Sequence, residues 1–315
     1  MSALEEIRTV QLTGRSTYII SLPKEWMEQM GIGKGDKLRL VRKNSEISIY
    51  PEEVKLKEEE KAVKVIPERG SMIRAVLSCY MEGYNKIEIA PVRGEFSLSD
   101  LEELREFIKR GLIGAEVVVE DKNRVMINVL LGPPQLPFTQ ALMRLYWMVS
   151  RMMDYLEELV RGEESVRDAV IRSDDDVDRL CYYLLRQLKL SIKNIKVLKE
   201  SGLEDLSAAI DYSLVVKFLE RISDHIVGIA KVMGKEKEGV DEALKLSRSI
   251  FESAFGSISS LNYEKAEKTV EESKKIREKL MKMVKDNLLM EHIARIAEYS
   301  GDIAEIALDI SLRHQ

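Results

Sequence analysis

The chain has 315 residues, of which 45% are hydrophobic and 33% charged, and its formal net charge is −5. That length allows two or three domains, and so many charges beside only 7 prolines and 17 glycines favour a helix-rich protein with real apolar cores. The negative balance argues against a chain that coats nucleic acid along its whole length, and no run approaches the roughly eighteen apolar residues of a membrane-spanning helix.

The charge is unevenly spread. Residues 1–50 hold 8 Lys/Arg against 6 Asp/Glu, residues 51–134 hold 13 against 16, and residues 135–315 hold 28 against 32. Only the N-terminal stretch is positive, which points phosphate contact there and nowhere else. Cys79 and Cys181 stand far apart with no Cys-x-x-Cys, the pattern of a reduced, intracellular protein. The acidic start lacks a charged-then-apolar leader, so a cytoplasmic location is expected.

In chain order, Thr9 to Leu12 is a β-favouring run, Gly14-Arg15-Ser16 a turn, and Tyr18 to Leu22 a second strand. Pro23 suits the first position of a short helix, because its fixed φ is helical and its missing N–H is not needed there. Gly31 marks the end of that helix. Lys37 to Val41 and Glu46 to Tyr50 are two more strands around a turn at Asn44-Ser45.

The strand-turn-strand around Thr13-Gly14-Arg15-Ser16, the stretch Ser21-Leu22-Pro23-Lys24-Glu25-Trp26 and the stretch Gly31-Ile32-Gly33-Lys34-Gly35-Asp36 together resemble the swapped-hairpin DNA-binding domain of the SpoVT/AbrB family. That resemblance implies a small β barrel built by two interleaved chains. Physics agrees, since about fifty residues with four short strands bury little core alone. The implied dimer contacts DNA through Arg8, Arg15 and Lys24, with Thr13 and Ser16 as donors to phosphate.

Residues 52–61 are a charged connector. Beyond it come a strand at Ala62 to Pro67, a helix at Ser71 to Gly83 and a strand at Lys86 to Ala90. A helix capped by Ser99 and Glu102 follows, reaching about Arg110, and then a hairpin of Ala115 to Glu120 with Arg124 to Leu130 around Asp121-Lys122-Asn123. The order β-α-β-α-β-β predicts a small α/β domain over residues 62–131 that connects or dimerises.

Gly132-Pro133-Pro134-Gln135-Leu136-Pro137 reads as a semi-rigid hinge, and no proline follows in the remaining 178 residues. Apolar spacing at i, i+3, i+4 and i+7 then predicts six antiparallel helices, roughly 138–161, 164–200, 204–233, 239–260, 263–285 and 288–313. These form two three-helix units within an all-α domain over residues 138–315.

The two halves of this region share a motif. Arg221-Ile222-Ser223-Asp224 with Ile229-Ala230 in the first half matches Arg295-Ile296-Ala297-Glu298 with Ile303-Ala304 in the second. The string Glu220 to Ala230 and its companion Asp174-Asp175-Asp176-Val177-Asp178 resemble the PhoU family of phosphate-uptake regulators. The resemblance implies two three-helix repeats whose acids bind metal clusters, with Asp174, Asp178, Glu220 and Asp224 as ligands and Glu298 and Asp302 as a weaker set. Taken with the N-terminal module, the arrangement is similar to an archaeal type of PhoU-family regulator. It implies transcriptional control of phosphate uptake, with DNA and a transporter or signalling component as partners.

The acids carry a physical reading of their own. Asp174 and Asp178 are four apart, as are Glu220 and Asp224, so each pair lies on one helix face. Two such pairs facing each other call for a cation, and an all-carboxylate site suits Fe, Mn, Mg or Ca. Other readings stay open at this level: Ser173 as a helix N-cap with acids in its first turn, and Glu220 and Asp224 as a solvated face paired to Arg221 and nearby lysines. Ala294 stands where Glu220 does, and Ile276 matches Asp178, so the second half has no full cluster. His225 is expected as a hydrogen-bonded interface residue, and Trp26 and Trp147 as core or interface anchors.

The Gly-x-Gly-x-Gly-Asp at residues 31–36 follows a helix and leads into a strand, the reverse of a phosphate-loop context, and nothing resembles a His-Glu-x-x-His or Gly-x-Ser-x-Gly site. No enzyme is expected. Two further classes remain beside the DNA-binding regulator. One is an adaptor that docks a transporter and uses its N-terminal barrel only to dimerise; the other is a metal-dependent hydrolase built on the acid cluster.

Overall fold

The computed structural model describes residues 5–43, 45–51, 62–68, 71–131, 137–234, 239–284 and 287–313. The expected connector at 52–61, the hinge residues 132–136 and Asn44 of the second turn lie outside them. The chain divides into two units, residues 1–60 and 61–315.

The first unit holds two hairpins and a short helix. Strands β1 (Gln11–Thr13) and β2 (Thr17–Ile19) pair antiparallel around Gly14, whose φ of +68° opens the turn. Both strands are shorter than their apolar runs suggested. Helix α1 (Lys24–Gln29) follows, with Pro23 one residue outside it as N-cap rather than at its first position, because Pro23 takes ψ 132°, an extended conformation. Gly31, at φ +67°, ends it. Strands β3 (Leu38–Lys43) and β4 (Glu46–Pro51) pair antiparallel with Leu40 opposite Ile49. Among the described residues of this unit only Pro23 is buried, while Leu12, Tyr18, Ile19, Leu40 and Ile47 all face solvent. Their apolar area finds no core among the described residues of this unit.

The second unit begins with the α/β domain. Strand β5 (Ala62–Val65) pairs parallel with β6 (Lys86–Ile89), β6 antiparallel with β8 (Val125–Val129), and β8 with β7 (Ala115–Glu120), giving the order β5-β6-β8-β7. Alternation puts Val63, Ile87, Ile127 and Val117 in one row on the inner face. Helices α2 (Met72–Met81) and α3 (Leu98–Gly111) bring Val76, Tyr80, Leu104 and Ile108 into that core. The capping box is Ser97 with Asp100, two residues before the expected pair. Asp100 N–H donates to Ser97 Oγ at 3.2 Å, and Ser97 N–H donates to the Asp100 carboxylate at 3.1 Å.

The helical region runs through α4 (Phe138–Val160), α5 (Arg167–Lys193), α6 (Ile195–Glu200), α7 (Leu206–Val232), α8 (Val240–Ser260), α9 (Tyr263–Met281) and α10 (Leu288–Leu312). The expected second helix is thus two, broken at Asn194, and entered through a 3-10 turn at Glu164–Val166. Helices α4, α5 and α7 pack as one group and α8, α9 and α10 as another, joined where α10 meets α7 and α4 meets α8. One continuous apolar core runs through both, from Phe138 to Ile310. No helix among the described residues is long and apolar enough to cross a membrane.

The α/β domain is not an independent body on a hinge. Arg186 of α5, only 2% exposed, donates to the backbone carbonyls of Tyr80 and Tyr84 and to Asn85 Oδ1, and its guanidinium lies over the Tyr80 ring. Lys189 and Lys193 bracket Glu82, whose carboxyl those two ammonium groups hold down at about 2. Gly83, at φ +92°, lies so close to Leu190 that a Cβ there would meet its Cδ2 at 2.5 Å. Tyr182 packs into the α/β core from the same helix.

Candidate functional sites

The four predicted acids of the first half come from α5 and α7, which pack side by side. Ser173 lies inside α5 and donates its hydroxyl to the Ala169 carbonyl at 2.8 Å, so it caps nothing. The aspartates after it are therefore mid-helix, and the i,i+4 geometry of Asp174 and Asp178 holds. Ser223 of α7 crosses to α5 and donates to Asp174 Oδ1 at 2.5 Å. Tyr182 donates to Asp178 Oδ2 at 3.3 Å.

Burial, then the charges of Asp174, Glu220 and Asp224, push the Asp178 carboxyl up to about 7. Burial raises Asp174 as well, beyond what the Ser223 hydroxyl restores, and it raises Asp224 with Glu220 and Asp174 adding to it. Asp178 Oδ1 and Glu220 Oε2 are buried with no hydrogen-bond partner. Local cations answer part of this charge: Lys217 sits 2.8 Å from Glu220 Oε1 and Arg221 3.5 Å from Asp224 Oδ2. The solvated-face reading thus describes Asp224, whose side chain is 45% exposed, but not Glu220, at 12%.

Among the described residues no three acidic, histidine or cysteine side chains stand close enough, as oriented, to hold a metal ion. The donor chemistry still fits a hard cation. Four carboxylates bear on one another across α5 and α7, and two of their buried oxygens, Asp178 Oδ1 and Glu220 Oε2, accept no hydrogen bond, although Arg221 Nε lies 3.8 Å from the latter. Asp174, Asp178, Glu220 and Asp224 are the groups that would hold it.

The second half is built differently. Glu298 is clamped by Arg277 and Arg295, each at 2.6 Å, so guanidinium groups supply its counter-charge. Asp302 is raised by burial and then by Glu298 and Glu305. Between the halves, His225 Nδ1 of α7 and His292 Nδ1 of α10 lie 2.8 Å apart, so His225 is the expected interface residue. Nothing in the sequence foretold its partner, nor the crossing of Ser223 to Asp174.

In the N-terminal unit, Arg15 and Ser16 occupy the exposed β1–β2 turn and Thr13 the end of β1. Arg8 pairs with Glu6, and Lys24, the first residue of α1, lies 3.4 Å from Glu28. Trp147 is 61% exposed and edge-on to Tyr146, so it is no core residue.

Known proteins match two separate stretches of the chain. Residues 142–233 match the PhoU domain, and residues 11–57 match the family of MazE, a bacterial antitoxin of antidote-toxin recognition. No curated protein matches the chain. The crystal structure of the phosphate transport system regulatory protein PhoU from Streptococcus pneumoniae is similar at 18% identity and a TM-score of 0.45, over 55% of this chain and 92% of that one. The chain is therefore similar to a MazE-type module over residues 11–57 and to the PhoU domain over residues 142–233.

Proposed function

We propose that this chain is a DNA-binding regulator of phosphate uptake rather than an enzyme. The observation that carries the reading is the pairing, in one chain, of a PhoU domain with a MazE-type module whose strand residues are left exposed. Leu12, Tyr18, Leu40 and Ile47 need a cover, and a second copy of the same module supplies one of matching chemistry. The resulting dimer presents two β1–β2 turns, each with an exposed Arg15, to a duplex.

In this reading the helical domain docks a transporter or signalling component and tunes DNA affinity through its state. Divalent or iron cations at Asp174, Asp178, Glu220 and Asp224 are one way to set that state. A bound cation would offset the mutual repulsion of these acids and draw α5 and α7 together.

One observation favours the adaptor reading, in which the module only dimerises. Arg8 and Lys24, two of the three basic candidates, already have acidic neighbours in Glu6 and Glu28. Sequencing of genomic fragments retained by the full chain, followed by footprinting, separates the two. A discrete protected site with salt-dependent affinity is expected, and uniform retention of random fragments, or of none, would leave only the adaptor.

A further inference from the structure

We propose that the cavity between α3, β7 and α5 binds a small organic carboxylate with an apolar body. The cavity measures about 590 Å³, within the range that takes a small ligand. It lies where the α/β domain meets the helical region, and nothing in the reading above uses it. Whether the chain binds DNA has no bearing on it.

The walls divide by chemistry. Ile108 and Leu112, at the end of α3, and Val117 of β7 form an apolar side. Among the described residues strand β7 is an edge strand paired with β8, and its residues Ala115 to Val118 and Glu120 line the same space. Arg105 and Lys109 of α3 and Arg179 of α5 bring three positive charges, and Glu116 and Glu120 bring two negative ones.

Arg105 is already engaged: its Nε donates to Glu120 Oε2 at 3.1 Å, and its Nη2 reaches Oε1 of the same carboxylate. Arg179 is not. Its Nε is buried without a hydrogen-bond partner among the described residues, and Arg179 lines the space, so its guanidinium is not committed to a carboxylate as that of Arg105 is. The fork geometry of arginine matches a carboxylate. The lining as a whole carries one net positive charge, which a monoanion balances and a phosphate ester dianion exceeds.

Arg179 follows Asp178 directly in α5, and Tyr182, one turn on, both bonds Asp178 and packs into the α/β core. A ligand on Arg179 is thereby placed to act on the carboxylate cluster through one helix.

The test uses the full chain and ligand-observed NMR titration with benzoate and hexanoate, with benzamide and phenyl phosphate as controls. Both carboxylates are expected to bind and benzamide not. Arg179→Gln should weaken benzoate by about tenfold, the loss of a charge-assisted contact. Lys109→Gln, at an exposed helix position that tolerates change, should weaken it by about two- to threefold while the melting temperature stays put. Binding of neither carboxylate, unchanged affinity in both variants, or tighter binding of phenyl phosphate overturns the proposal. So does an extended peptide that displaces benzoate and protects the amides of Ala115–Glu120, since that assigns the groove to strand addition.

Discussion

His225 on α7 and His292 on α10 share a 2.8 Å hydrogen bond between their Nδ1 atoms, and this contact ties the two halves of the helical region together. One ring donates and the other accepts, so the accepting imidazole is neutral. Burial, and then the neighbouring His292, lower His225 to about 4, and burial lowers His292. The Tyr299 ring stacks on His225. The pair has no slack on the α7 side, because a Cβ on Gly228 would meet His292 Cε1 at 2.5 Å. An exposed helical Gly→Ala usually stabilises by about 1 kcal/mol. Here the clash should win, and Gly228→Ala is expected to destabilise by about 1–2 kcal/mol in urea unfolding. A gain in stability would show that His292 swings away freely.

The carboxylate cluster makes a prediction about pH. The folded Asp178 carboxyl titrates at about 7 and the unfolded one near 3.8, so the folded state holds the extra proton in between. Stability from this group is therefore present at low pH and lost as pH rises through that window. Solvent screening at a half-buried site reduces the effect to about 1–2 kcal/mol. The His225–His292 pair works the other way, since its depressed values favour folding above pH 6.5 and lose that as pH falls toward 4. Asp178→Asn isolates the first contribution. Its melting temperature at pH 8 should exceed that of the parent, and the difference should vanish near pH 4.

Metal ions should substitute for those protons. Manganese, iron or magnesium is expected to raise the melting temperature of the parent at pH 8, because a ligand that prefers the folded state shifts unfolding. Glu220→Gln with Asp224→Asn should remove the response. A melting temperature indifferent to EDTA and to all three ions, with elemental analysis finding no metal, would reduce the acids to a repulsive patch eased by Lys217 and Arg221.

Arg186 is the pin between the α/β domain and α5. Arg186→Met keeps bulk but leaves the Tyr80 and Tyr84 carbonyls and Asn85 without their donor. Each unmet buried acceptor costs about 1–3 kcal/mol, so a total loss of about 3 kcal/mol is expected, together with a separate, earlier unfolding step for residues 62–131. A single transition at the parent's midpoint would deny the pin any energetic role.

The N-terminal module should not be stable alone. A fragment of residues 1–51 is expected to sediment as a dimer when folded and to be unfolded when dilute, since among the described residues of this unit Pro23 alone is buried. In the full chain, Arg15→Ala should weaken DNA binding and reduce the salt slope by about one unit, the signature of one lost phosphate contact. An unchanged slope would remove Arg15 from the interface.

Local rules carried the sequence reading a long way. Turn glycines at 14 and 31, the proline-free stretch after Pro137 and the 3.6-residue period placed most elements to within a few residues, because turn chemistry and amphipathic period are properties of short segments. The i,i+4 spacing of Asp174 with Asp178 and of Glu220 with Asp224 was equally plain, since a helix converts spacing into a shared face. The misjudged features lie where a local rule had a near-equal competitor: Ser97 against Ser99 as cap, one helix against two at Asn194. What the tertiary structure alone decided are contacts between residues distant in sequence. They are the burial that lifts Asp178 to about 7, the Ser223–Asp174 crossing, the His225–His292 bond, and the Arg186 pin that joins α5 to the α/β domain instead of leaving it on a hinge. Such pairings follow from which helix faces the packed core brings together, and no period or spacing within a single segment encodes that choice.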